Sequence, residues 1–241
     1  NFTDGNELLA FQPGLTPSER EALLMLFQNF VRACLRFNVP FLIYGGTLLG
    51  SLRHHDIIPW DDDIDVIANS SDRARLRHAL RSVPGDFGLN SPRGQRWKFY
   101  WTKPKTIPHK PFRWPYIDIF FFLENATHIF DESFDYRATF SFPKQLTFPL
   151  CLRPFAGALL PAPRDSDAVV KRNYSPSLCT SLSYSHKLES HTLQKLRATL
   201  PCKRLHGLYP FVRRELKDGL IHERLSFRDQ VLRTFVVTES C

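Results

Sequence analysis

The apolar positions in the first third of the chain fall into short, distinct patterns. Leu23, Phe27, Phe30, Val31 and Cys34 recur at helical spacing. Ahead of them, Thr16-Pro17-Ser18-Glu19 combines a capping box with proline at the first helical position. A helix is therefore predicted over 17–37, stopped by Asn38-Val39-Pro40. Positions 41–44 read as a short apolar strand broken by Gly45-Gly46, and 47–53 as a brief helix. Positions 54–60 read as a loop and 61–67 as a strand, after which Ser70 or Ser71 caps a basic helix reaching about Val83. Two more strands are expected at 96–101 and 116–123, a Pro/Phe-rich excursion at 137–165, and a short helix at 169–174. Residues 1–15 look like an irregular lead-in. Past 186 the pattern turns polar and suggests two or three helices, around 188–200 and 211–235, behind a boundary near 176–187.

Composition narrows the class. The 241 residues are 43% hydrophobic and 13% aromatic, enough to bury one sizeable core, which excludes a disordered chain. No apolar run approaches the ~20 residues needed to cross a bilayer. The chain starts at Asn1 and reads as a fragment, so membrane attachment is expected only through an N-terminal anchor outside it. Lys and Arg total 32 against 24 Asp and Glu, a net charge of +8 that attracts polyanions. No Lys/Arg block exceeds three residues and no nucleic-acid motif appears, so no nucleic-acid partner is expected. The five cysteines (Cys34, Cys151, Cys179, Cys202, Cys241) contain no CxxC pair, which argues against a zinc module. Cys34 lies on the apolar helix face as a buried thiol, and one or two disulfides can form among the others. Sequons at Asn1, Asn69, Asn125 and Asn173 point to the lumen of the secretory pathway.

The candidate chemistry lies between Tyr44 and Val66. On an extended segment, Asp61, Asp63 and Asp65 share one face while Ile64 and Val66 face the core. Three carboxylates on one face repel each other unless a cation or several donors neutralise them, and hard ions such as Mg²⁺ or Mn²⁺ suit oxygen ligands. A second apolar strand, Tyr116-Ile-Asp118-Ile-Phe-Phe, buries a single acid. If the two strands are neighbours, Asp63, Asp65 and Asp118 form a metal site. Gly45-Gly46 followed by a helix start at Thr47 leaves free backbone N–H groups, which favour phosphate. Metal at one end and N–H groups at the other is the layout of phosphoryl or nucleotidyl transfer. Asp61 is the candidate general base or outer ligand. Arg53 is placed to meet phosphate, or to pair with Asp56 or Asp61. Lys98 either reaches the same site or is a solvated strand lysine. His54 and His55 read as a surface loop pair, Trp60 as packing under the acidic strand, and Trp97, Tyr100 and Trp101 as an aromatic binding face or core.

The run Gly45-Gly-Thr-Leu-Leu-Gly50, Arg53 and Ile58-Pro-Trp-Asp-Asp-Asp-Ile-Asp65 resembles the signature of the LicD/fukutin family. Trp114-Pro-Tyr-Ile-Asp-Ile-Phe120 resembles its second acidic strand, and Phe148-Pro-Leu150, Phe155-Ala-Gly157, Pro161-Ala-Pro163 and Tyr174 its later region. The likeness covers about 20–176. It implies an α+β, nucleotidyltransferase-like mixed sheet flanked by helices over 17–176, with 187–241 left as a helical C-terminal extension. It implies a transferase that moves a phospho-alditol or phosphocholine group from a CDP-activated donor to a glycan hydroxyl, in the secretory pathway and most naturally the Golgi lumen. Carried over by position, Asp63, Asp65 and Asp118 would hold Mg²⁺ or Mn²⁺, and Gly45, Gly46 and Thr47 would line the donor phosphates. The alternative is a non-catalytic glycan- or nucleotide-binding relative that supports another glycosylation enzyme. A third reaction, transfer of the nucleotide itself, would use the same site.

Overall fold

The computed structural model describes residues 4–238. In chain order its elements begin α1 (Asp4–Leu9), α2 (Pro17–Arg36), β1 (Phe41–Ile43), α3 (Gly45–His54), β2 (Ile64–Asn69), α4 (Arg73–Arg81), β3 (Phe87–Asn90), β4 (Trp97–Trp101) and β5 (Tyr116–Glu124). They continue β6 (His128–Asp131), α5 (Phe134–Arg137), β7 (Ser141–Pro143), α6 (Lys144–Thr147), β8 (Cys151–Phe155), β9 (Ala158–Ala162) and α7 (Ser166–Lys171). The last third holds β10 (Leu178–Thr180), β11 (Tyr184–Ser185), β12 (Ser190–His191), β13 (Thr199–Pro201), β14 (Phe211–Lys217), β15 (Leu220–Phe227) and β16 (Gln230–Thr238).

The capping box forms as the sequence suggests. Glu19 N donates to Thr16 Oγ1 at 3.3 Å, and Thr16 N donates to the Glu19 carboxylate at 2.8 Å. Leu23, Leu26, Phe27, Phe30, Ala33 and Cys34 make the buried face of α2, and Cys34 is a free, buried thiol. Residues 4–9 are helical, so the lead-in is more ordered than its composition suggests. The excursion at 137–165 also contains a hairpin, β8–β9, whose turn places Ala156 and Gly157 at positive φ.

The main sheet has seven strands. Its principal order is β1-β2-β5-β4-β3, with β6 added to β5 and β7 to β6. Strands β2 and β5 run parallel and the other pairs antiparallel. This is the mixed, helix-flanked α+β sheet. Its register sets the chemistry, because paired residues share a face. Val66 pairs with Ile119, and Trp97 with Ile119, which buries one apolar face. Helices α2 and α4 pack together, and α2 lies against β4 and β5. The alternate positions, Asp65, Asp118 and Lys98, are paired in a row across β2, β5 and β4 on the opposite face.

The C-terminal region departs from expectation. Residues 211–238 are a three-stranded antiparallel sheet, β14-β15-β16, and 188–200 holds only short strands and a 3-10 turn at Gln194–Leu196. The deciding signal is local: Asp218 and Gly219 take φ of 54° and 74°, the left-handed pair that an Asp-Gly hairpin turn requires. That turn divides a polar run that otherwise reads as helical. The region is also fastened to the rest of the chain. Cys179 and Cys202 form a disulfide, and β14 packs on α3. Cys241 and the Asn1 sequon lie outside the described residues. Among the described residues, no helix is long and apolar enough to cross a membrane.

Candidate active site

Parallel pairing of β2 with β5 sets Asp65 opposite Asp118, and Asp63 lies two residues before Asp65 in the loop that enters β2. Each of the three offers a carboxylate oxygen, all within 4.8 Å of one another. One oxygen of Asp118 accepts from Lys98 Nζ at 2.8 Å. The other is buried without a hydrogen-bond partner, and the Arg96 guanidinium stands off at 3.8 Å. Burial, followed by the negative charges of Asp65, Asp61 and Asp118, raises the Asp63 carboxyl well above the usual carboxylate range. Burial and the Asp118 charge push Asp65 up to about 7. Two carboxyls raised in this way, beside a buried Asp118 with one orphaned oxygen, fit a hard divalent cation bound through oxygen.

The other half of the site is built by the strand-to-helix turn. Gly45 has φ +51°, and a Cβ there would stand 2.8 Å from Asp65 Oδ2. Only glycine lets the backbone pass this close to the carboxylate. Gly46 N donates to the same oxygen at 3.2 Å, and Asp65 N donates to Thr47 Oγ1 at 2.7 Å. The first turn of α3 is thus stapled to β2, and its N-terminus opens into a cavity of about 520 Å³. Gly45, Gly46, Arg53, Asp61, Asp63 and Asp65 all line it. Thr47 does not: it is buried and holds the Asp65 backbone.

The remaining sequence candidates are distributed as follows. Asp61 faces the cavity and accepts from Asp62 N at 3.0 Å; burial raises its carboxyl, partly offset by the His186 charge. Arg53 is buried over the Trp60 ring and donates to Leu178 O at 3.3 Å. Burial lowers its guanidinium to about 10. It makes no ion pair with Asp56, which is taken by Arg20 at 2.5 Å. Lys98 is buried, stands over the Tyr116 ring and is bonded to Asp118, away from the cavity. Trp60 packs under the loop, its ring nitrogen donating to Thr180 O at 3.0 Å. Trp97 is core, while Tyr100 and Trp101 are half-buried.

His54 and His55 are not a surface pair. Both are buried: His54 Nδ1 lies 2.7 Å from Pro210 O, and His55 Nε2 lies 2.8 Å from Glu223. The C-terminal sheet covers them, which local sequence could not show. Of the sequons, Asn125 is exposed in a turn, Asn69 caps the 3-10 turn after β2, and Asn173 lines the cavity.

Sequence reasoning missed His186. Its Nδ1 is 2.7 Å from Asp62 and its Nε2 is 3.2 Å from Asp63. The backbone amides of His186 and Lys187 also donate to Asp62, at 3.1 and 3.2 Å. Burial opposes charge on this imidazole, yet the Asp62 hydrogen bond and the charges of Asp62, Asp61 and Asp65 raise its pKa. His186 comes from a segment more than a hundred residues downstream with no motif, so no local signal pointed to it. Arg96, also missed, directly precedes β4 and has a half-exposed guanidinium.

A family model described as LicD/FKTN/FKRP, nucleotidyltransferase domain, matches residues 38–165. Ribitol 5-phosphate transferase FKRP of Mus musculus is 28% identical over 154 residues, which covers 61% of this chain and 30% of that protein; the Homo sapiens protein matches to the same extent. Lipopolysaccharide cholinephosphotransferase LicD of Haemophilus influenzae is 37% identical over 63 residues, 26% of this chain and 24% of that protein. The matched stretch therefore spans less than a third of each of these relatives.

Proposed function

Because the chain belongs to the LicD/FKTN/FKRP family, matched across its nucleotidyltransferase domain, we propose that it is a metal-dependent phosphotransferase acting on glycans. In this reading it moves a phospho-alditol or phosphocholine group from a CDP-linked donor to a glycan hydroxyl. The observation that carries the reading is the meeting of Asp63 and Asp65 with the α3 N-terminus in one cavity. Mg²⁺ or Mn²⁺ held by Asp63, Asp65 and Asp118 would supply charge neutralisation for the pyrophosphate.

The protein's own groups do the rest. The Gly45-Gly46 turn and Arg53 bind and orient the donor phosphates. The acceptor oxygen forms a bond to the distal phosphorus, the bridging P–O bond breaks, and CMP leaves with the electron pair. The acceptor proton passes to Asp61, whose carboxylate has no ion-pair partner among the described residues and lines the same cavity. The Cys179–Cys202 disulfide and the Asn125 sequon favour the secretory lumen as the place of action, with the Golgi the proposed compartment.

The test is CMP release from CDP-ribitol, CDP-glycerol and CDP-choline with Mg²⁺ or Mn²⁺. Turnover of one donor, lost in Asp63→Asn and Asp65→Asn variants that keep their circular dichroism, is the expected result. Turnover undiminished in both variants would sink the proposal, and CDP binding without turnover of any donor would mark a non-catalytic relative. A donor labelled in the nucleoside separates phosphate-group transfer from nucleotidyl transfer.

A further inference from the structure

Three asparagine sequons lie among the described residues, at Asn69, Asn125 and Asn173, and the fold treats each differently. Asn125-Ala-Thr127 forms the tip of the β5–β6 hairpin, with all three residues exposed. Asn125 Oδ1 accepts from Thr127 N at 2.9 Å, from Thr127 Oγ1 at 3.4 Å and from His128 N at 2.8 Å. The backbone closes beneath it: Asn125 N donates to His128 O at 3.0 Å, and Lys144 N to Thr127 O at 2.8 Å. The turn therefore fixes this amide by its oxygen alone. Its nitrogen, Nδ2, has no hydrogen-bond partner among the described residues.

The other two side chains are occupied by the fold. Asn69 Nδ2 donates to Glu124 Oε1 at 3.3 Å, while its Oδ1 accepts from Ser71 N and Ser71 Oγ, both at 2.9 Å. Asn69 is half-buried at the cap of the 3-10 turn. Asn173 is also half-buried, its Oδ1 is enclosed, and it lines the cavity beside Asp63 and Asp65. A sugar attached there would fill that cavity.

Attachment of an N-linked glycan acts on the chain as it enters the lumen, so it has two requirements. The extended chain must present an Asn with a hydroxyl two positions on. The folded chain must then leave room for a branched sugar. Asn125 meets both. Its hydroxyl is that of Thr127, whose branched Cβ leaves few rotamers, whereas Asn69 and Asn173 depend on Ser71 and Ser175. Pro176 further restricts the backbone of Ser175. The turn also stands clear of the acidic cluster. Asn125 follows β5 at the end far from Asp118, roughly 23 Å away at the rise of an extended chain.

We propose that Asn125 carries an N-linked glycan and that Asn69 and Asn173 stay unmodified. The donor class is an oligosaccharide on a lipid diphosphate. Asn125 Nδ2 forms a bond to the sugar C1 and the C1–O bond to the diphosphate breaks. The lipid diphosphate leaves with the electron pair, and one amide proton passes to a base of the transferring enzyme. The inference rests on the luminal placement in the transferase reading and not on its chemistry.

The experiment expresses the full chain behind a secretory leader in cultured animal cells and maps the purified, folded product by glycopeptide mass spectrometry. Enzymatic release of the sugars in heavy-oxygen water converts each occupied Asn to a labelled Asp. The label should fall on Asn125 and be absent from Asn69 and Asn173. Thr127→Ala, which keeps Asn125, should lose the gel shift of one glycan, and Thr127→Ser should keep it on part of the chains. The wild-type map decides the matter even where Thr127→Ala folds poorly. An unlabelled Asn125, or label on Asn69 or Asn173 in the folded protein, would overturn the assignment. CMP release is measured separately: its absence counts against the transferase reading and leaves the glycan map standing.

Discussion

Buried carboxylates lie near both ends of α3, Asp65 at its first turn and Glu223 beside His55 just past its last, and they are built to opposite rules. Glu223, on β15, is fully buried and surrounded by donors: His55 at 2.8 Å, Arg153 at 2.7 Å and Arg214 at 2.9 Å. Burial works against its charge, yet the His55 hydrogen bond and the Arg153 and Arg214 charges hold its carboxyl at about 2. Asp63, Asp65 and Asp118 have more negative charge and fewer donors, and two of them are pushed upward. A buried charge that serves the fold is neutralised within the fold. A buried set left short of positive charge, facing a cavity, is poised for something that arrives from outside.

The contrast can be broken experimentally, most sharply at the acidic cluster. Asp63→Asn should lower CMP release by at least about 10³-fold, since the charge stabilisation at stake is several kcal/mol. Its thermal melting without metal should hold or rise. An intact rate in this variant would make the cluster merely structural. Glu223→Ala should do the reverse, stranding Arg153 and costing about 3–5 kcal/mol of stability. That is a drop of roughly 10 °C in melting temperature, read by differential scanning fluorimetry.

A smaller effect follows from pH. Asp65 has a raised folded pKa, so its contribution favours the metal-free fold at low pH and is lost as pH rises from about 4 through about 7. His186, raised as well, acts in the same direction. Metal-free protein should therefore melt a few degrees lower at pH 8 than at pH 6, and Mg²⁺ or Mn²⁺ should restore more at pH 8. Glu223 has the opposite sign: its contribution is present above about 4.5 and is lost only as pH falls toward about 2. A metal-free melting temperature that climbs from pH 6 to 8 would contradict the assignment. The smallest effect belongs to Arg224, which neighbours Glu223 in sequence but points outward and pairs with Glu215 at 3.2 Å with both side chains exposed. Arg224→Ala should cost less than about 0.5 kcal/mol, so that adjacent residues on one strand differ several-fold in their effect on stability.

The strand-turn-helix around Gly45-Gly46 and the acids Asp63, Asp65 and Asp118 could be read from the chain. Their signals are local: a glycine pair after an apolar run, and acids at period-two positions among Ile, Val and Phe. The hairpins of β14–β16 were missed although Asp218-Gly219 was visible, because charged residues mask a half-exposed strand's alternation. His186, Arg96 and the burial of His54 and His55 had no local signature at all.

The order of residues alone fixed which side chains alternate toward which face and where the backbone can turn, because those depend on neighbours a few positions apart. Whether Asp118 meets Asp65 depended on β5 pairing parallel to β2, and that is a matter of register. The same holds for His186 closing over Asp62, and for Lys98 neutralising Asp118 instead of reaching the cavity. Contacts between distant segments are selected by the packing of the whole core, and only the folded chain carries that information.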